Sequence, residues 1–323
     1  MDRPDPGAPV GVPAVGAVGP IIVRTAMQRE VASELWPRNR ADEPMRRRGP
    51  LETTAVHVSR GCAMVPYVDQ NIEEAIKTKY GKCFAGCEQL MKVAATLEER
   101  NSGKLILDAQ HPATGGMAFF YAKANKSFRA TQLLAAAGYG EDALVLARSM
   151  TSLCIDAAYV SQGDSDERAR DWIAVGEVAR RKIAGEQGIK LPEEPGIPWE
   201  EYQRREKRWR GLGTHGRAQA AGKLDVYNLA YRHGSSFEHS DSWSSIAYMT
   251  WGEKIVELHT APSDALVWHA LIVGAHAFGS VMIDWGRFFH MDVDAAEKRA
   301  ADLFESHFKV RGDPDAALAP DVA

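Results

Sequence analysis

This chain of 323 residues is defined first by what it has little of. Cysteine is scarce: Cys62, Cys83, Cys87 and Cys154 are too few to staple a domain this size. Cys154 lies in the apolar run SLCIDAAYV and reads as a buried thiol. Cys83 and Cys87 stand one helical turn apart with no second close pair, so they read as small buried side chains rather than zinc ligands. A basic excess is also missing. Lys and Arg total 39 against 43 Asp and Glu, a net charge of −4. That balance excludes a general polyanion-binding coat, and any nucleic-acid contact needs a local patch. No βαβ alternation and no G-x-x-x-x-G-K-[ST] loop appear, which disfavours a nucleotide-binding α/β fold. There is no G-x-S-x-G elbow for a serine hydrolase and no E-x-x-H spacing for a di-iron bundle. Neither a metal nor a cofactor is expected.

The N-terminus, MDRPDPGAPVGVPAVGAVGP, has no basic region ahead of an apolar run, so no signal peptide is read and a cytoplasmic location is expected. The stretch ALVWHALIVGAHAFGSVMI, 265–283, carries no formal charge and nearly reaches spanning length. His269 and His276 interrupt it, and Asp264 and Asp284 flank it, so it reads as a core helix and no membrane partner is expected.

What remains is helical periodicity. Residues 70–100 look mostly helical with a break near Gly81. From 117 onward the signal strengthens. MAFFYAKANKSFRATQLLAAA reads as a helix, GYGED as a turn, and ALVLARSMTSLCIDAAYVSQ as a helix apolar nearly all round, hence central and buried. Asp164, three residues before Glu167, suits the start of the next helix. Residues 224–240 read as a helix, 248–259 as a loop or short strand, and 263–290 and 293–310 as two closing helices, the last with a cap-like Asp294 and Glu297. The fold class is all-α, an antiparallel helical bundle with disordered tails. The expected organisation is a tail and charged linker over 1–50, a helical extension over 51–112, the main bundle over 113–311 and a tail over 312–323. A short helix over 24–36 is expected within the first of these.

Polar chemistry concentrates in YRHGSSFEHS, 231–240. On a helix, seven residues advance nearly two turns, so Arg232 and His239 share a face with Ser235 and Ser236 between them. Glu238 falls nearer the stripe of Tyr231 and Ser235. Arginine can hold a phosphate in two-point contact, and an imidazole near neutral pKa can move a proton to or from a ribose hydroxyl. The most apolar helix carries a narrow polar stripe of Arg148, Ser149, Ser152 and Asp156. A buried arginine must be paired. Asp156 is two turns away, so Glu238 or another carboxylate from a neighbouring helix is the expected partner.

The string from Arg232 through His233, Gly234, Ser235, Ser236, Phe237 and Glu238 to His239 resembles the R-x4-6-H signature of the HEPN superfamily. Many HEPN proteins are metal-independent ribonucleases built as compact helical bundles that commonly dimerise. A broader resemblance covers about 115–290. Arg148 and Ser149, with Tyr231, Ser235, His239 and Ser240, are similar to elements of the bacterial domain-of-unknown-function family 5677. Ser152 departs from an acidic residue often found four positions after that arginine. The resemblance implies a helical fold, and RNA and a second copy of the chain as partners.

RREKRWR, 204–210, is the most basic short segment. Trp209 among Arg204, Arg205, Lys207, Arg208 and Arg210 would suit a phosphate backbone with a stacked base. Its plainer reading is a solvated helix face with the tryptophan turned inward. Two function classes follow. In the first, a metal-independent endoribonuclease, His239 is general acid and base, Arg232 is the phosphate clamp, and Ser235, Ser236 or His233 orients substrate. In the second, a non-catalytic binding or scaffolding bundle, the Tyr231–His239 face and Arg148, with Glu238 among its residues, form a structural network or a ligand pocket.

Overall fold

The computed structural model describes residues 55–57, 69–101, 105, 107–191, 197–238, 244–251, 255–259 and 261–308. The expected tails, the 24–36 helix, Cys62 and His239 lie outside these residues. Helix α1 spans Gln70–Lys79, and Asp69 caps it by accepting the Asn71 amide at 2.9 Å. A break at Tyr80 and Gly81, where the sequence places it, leads into α2, Gly81–Arg100. Helix α3, Pro112–Ala136, opens on proline, whose fixed φ and missing N–H suit a first turn. Helix α4 spans Gly140–Val160. Asp164 starts α5, Ser165–Glu186, by accepting the Glu167 amide at 3.3 Å, as its spacing predicts.

Helix α6, Trp199–Ala220, is kinked at Gly213, where φ is 60°. The kink falls in Gly211-Leu212-Gly213-Thr214-His215-Gly216, which has the G-x-G-x-x-G spacing of a dinucleotide loop. It lies inside a helix with no strand before it, so only the spacing matches. One short turn, α7 at Leu224–Val226, then widens into π-helical geometry over Tyr227–Tyr231 and tightens into α8, Arg232–Glu238. Helix α9 is Val267–Phe288, and α10, Asp294–Leu303, ends in a π-helical turn over Phe304–Phe308. The cap of α10 differs from expectation. Val293 is the N-cap, and Asp294 and Glu297 lie in the first turn, where their charge favours the helix dipole.

The fold is all-α with one small sheet. Strands β1 (Ala55–His57), β2 (Met249–Trp251) and β3 (Ile255–Leu258) order as β1-β3-β2, parallel in the first pairing and antiparallel in the second. The 248–259 segment therefore contributes the two short strands β2 and β3, and the extension at 51–112 contributes β1 as well as helices.

Helix α4 is sandwiched between α3 and α9, as its nearly unbroken apolar surface requires. Leu144, Met150 and Ile155 of α4 are fully buried with Phe120 and Phe128 of α3 and Leu271, Phe278 and Met282 of α9. Phe128 stacks on Phe278 with centroids 4.9 Å apart. Leu90, Cys83 and Cys87 of α2 belong to the same core. Helices α4 and α9 are long and apolar enough to cross a membrane, yet they pack on each other and most of their residues are buried. Gly140 lets the start of α4 approach the segment that leads into α9: an added Cβ would overlap the Ala265 carbonyl.

Candidate functional site

The polar stripe of α4 faces the segment α6–α8. Arg148 lies across α8, and its side chain is only 11% exposed. Its Nη1 pairs with the Glu238 carboxylate at 2.6 Å, and its Nε donates to Ser235 Oγ at 3.3 Å. The guanidinium lies over the Tyr231 ring, 4.2 Å from the centroid. Ser235 Oγ donates in turn to the Tyr231 carbonyl at 2.8 Å. Residues 231, 235 and 238 are one and two turns apart, so a single arginine reads one face of the helix. Close approach depends on Gly234, where an added Cβ would sit 2.5 Å from Arg148 Cβ. Tyr227 stacks on Tyr231 with centroids 5.0 Å apart, and His215 meets Tyr227 edge-on at 5.2 Å.

Asp156, two turns along α4, has a different partner. Arg217 donates Nε to its carboxylate at 2.7 Å, lies over the Trp209 ring at 4.4 Å and donates Nη1 to the Trp209 carbonyl at 3.2 Å. Burial pushes the Asp156 carboxyl up, and the Arg217 charge opposes that shift.

Arg148, Tyr231, Ser235 and Glu238 are thus brought together, with Glu238 as the arginine's partner. Arg232 is exposed on α8. His233 and Ser236 lie on the same helix, with side chains outside the described residues, and His239 is outside them altogether. Arg205 and Arg208 of the basic run of α6 reach α5, and Arg204 and Arg210 pair within α6. Arg205 meets Glu201 at 2.6 Å and Glu167 at 3.1 Å, Arg208 meets Asp171 at 2.5 Å, Arg210 meets Glu206 at 2.6 Å, and Arg204 pairs with Glu201. Trp209 is buried, edge-on to Tyr159, so its ring is turned inward. Lys207 is exposed.

Two polar features escaped the sequence reading. An open cleft of about 430 Å³ lies where α3 and α5 begin and α9 ends, lined by His111, Asp164, Asp166, Phe288 and His290 among others. His111 Nδ1 and Asp166 Oδ2 are 2.8 Å apart, and this bond raises the imidazole pKa. Burial alone would raise the Asp166 pKa, but bonds from His111 and the Ala113 amide outweigh it and lower it. Deeper in the bundle, Lys223 lies 3.5 Å from Asp284. Burial works to lower the Lys223 pKa, and the Asp284 charge more than reverses this. Both pairs join residues distant in sequence, which no local pattern announces. Among the described residues, no cluster of three or more His, Cys, Asp or Glu could hold a metal ion.

No curated protein matches the chain, and no solved structure does. Residues 116–254, which contain both Arg148–Ser149 and the Tyr231–Ser240 element, match the model of a Family of unknown function (DUF5677).

Proposed function

We propose that the chain is a HEPN-like, metal-independent endoribonuclease whose working face is the outer side of α8. One observation carries the reading: Arg232 stands exposed on a helix whose opposite side is fixed to α4 by Arg148. A cation on a rigid support, turned to solvent, suits two-point contact with a phosphodiester. In the reaction His239 takes the proton of a ribose 2′-hydroxyl, the oxygen attacks the adjacent phosphorus, the P–O5′ bond breaks, and His239 returns the proton to the departing 5′-oxygen. Arg232 offsets the charge that builds on the phosphate. The products are a 2′,3′-cyclic phosphate and a free 5′-hydroxyl. Ser236 and His233 orient substrate. Ser235 is engaged with Arg148 and the Tyr231 carbonyl, so its part is to support the helix. In this reading RNA is the partner, two copies of the chain pair, and the protein works in the cytoplasm.

A second reading is favoured by the enclosure of Arg148: a buried ion pair with stacking and hydrogen bonds is also how a non-catalytic bundle fixes helix register. The test is RNA cleavage by the purified chain in excess EDTA, with Arg232→Ala and His239→Ala alongside. Cleavage by wild type alone, leaving cyclic phosphate ends, supports the nuclease. No cleavage by a folded wild type supports the scaffold.

A further inference from the structure

We propose that Arg148 is the cation of a phosphate-binding subsite and that Glu238 is an internal anion occupying it, a latch that a ligand phosphate displaces. The guanidinium is held ready without Glu238. Tyr231 supports its plane, Ser235 Oγ accepts from its Nε, and Gly234 lacks the Cβ that would collide with the Arg148 side chain. An arginine immobilised on an aromatic ring is preorganised for an oxyanion, because little freedom is left to lose on binding.

The two members of the pair are not equally enclosed. Arg148 is 11% exposed and Glu238 31%, so the carboxylate is the solvent-side partner. Arg148 belongs to the buried α4–α8 contact, so in the latch it is Glu238 that leaves and the arginine that stays. Asp156, two turns along α4, is held by Arg217. A buried guanidinium that loses its carboxylate needs another anion, and a phosphate entering from solvent supplies one. Arg232 adds an exposed cation on the same helix.

The latch concerns binding and holds whether or not the bound phosphate is then cleaved, so its readout is separate from the EDTA assay. Phosphate binding is measured by calorimetry at low ionic strength on the full chain as wild type, Glu238→Gln and Glu238→Gln/Arg148→Gln. Emptying the latch is expected to tighten inorganic phosphate about tenfold or more, and removing Arg148 is expected to abolish the gain. A Glu238→Gln chain that binds no better than wild type, or a gain that survives loss of Arg148, overturns the proposal. A parallel titration with a short single-stranded oligoribonucleotide separates the sources. A matching gain assigns the subsite to a phosphodiester, and a gain for inorganic phosphate alone assigns it to a free phosphate ligand. Should Glu238→Gln fail to fold, wild type carries the test by amide hydrogen exchange. Saturating sulfate is expected to speed exchange at the end of Arg232–Glu238, and unchanged exchange overturns the latch.

Discussion

Gly234 carries more of the site than its size suggests. The α8 backbone passes so close to α4 that a Cβ here would meet Arg148 Cβ at 2.5 Å and its Cγ at 2.8 Å. Gly234→Ala is expected to destabilise the chain by about 1–3 kcal/mol, the usual penalty of overpacking. Gly176, within α5, has nothing within 4 Å of the same added atom. Gly176→Ala should therefore stabilise by about 0.5–1 kcal/mol through reduced chain entropy. Urea denaturation of the two variants reads both signs, and equal effects would contradict this account of Gly234. His276 sets a second residue-level expectation. Burial, with help from the Lys223 charge, pushes its pKa down to about 4. The unfolded state then binds more protons between about pH 6.5 and 4, so the contribution is complete above 6.5 and is lost as pH falls through 4. Wild type should lose about 1–3 kcal/mol more stability than His276→Asn over that interval. Equal acid losses would show that His276 titrates normally in the fold.

At the scale of the element, α4 joins its neighbours by two ion pairs of opposite sense. It contributes the cation to Glu238 and, two turns on, the anion to Arg217. A helix slipped by one turn would lose both, so the pairs fix register where apolar packing alone is permissive. Arg217→Met leaves Asp156 largely buried without its partner and should cost about 3–5 kcal/mol. Adding Asp156→Asn should recover about 1–3 kcal/mol of that loss, because a neutral amide is cheaper to bury than a lone carboxylate. A double variant as unstable as the single one would show that the pair adds nothing beyond packing.

The two ends of α4 also divide what the sequence discloses. Its polar stripe is legible because it follows from helical spacing on a strongly periodic segment, and Glu238 is legible as one candidate partner of Arg148 among the carboxylates of neighbouring helices. Arg217 is not, since it reaches Asp156 only after α6 kinks at Gly213. The π-helical turn at Tyr227–Tyr231 is equally silent in sequence, although it sets how Tyr231 meets the arginine. The basic run shows the converse. Five cations crowd into 204–210, but the carboxylates that answer four of them include Glu167 and Asp171, contributed by another helix.

Across the whole molecule, the apolar periodicity that announces the bundle also ties the early helices to it. Cys83 and Cys87 of α2 share one core with Cys154 of α4, and Gly86 packs against Phe308 beyond α10. Burial pushes the Cys83 and Cys154 thiols up to about 11 and raises Cys87 well above its ordinary range. Thiols that are both covered and protonated react only when the structure opens. A Cys62→Ser chain therefore makes the other three into reporters of opening. If α2 unfolds only with the bundle, an aromatic disulfide reagent should label all three at one slow rate, and that rate should rise in parallel as urea lowers global stability. If α1 and α2 open as a unit of their own, Cys83 and Cys87 should react about tenfold or more ahead of Cys154. The shared core leads us to expect a single rate. Peptide mapping of the labelled cysteines over time decides between the two, because Cys83 and Cys87 sit on α2 and Cys154 on α4.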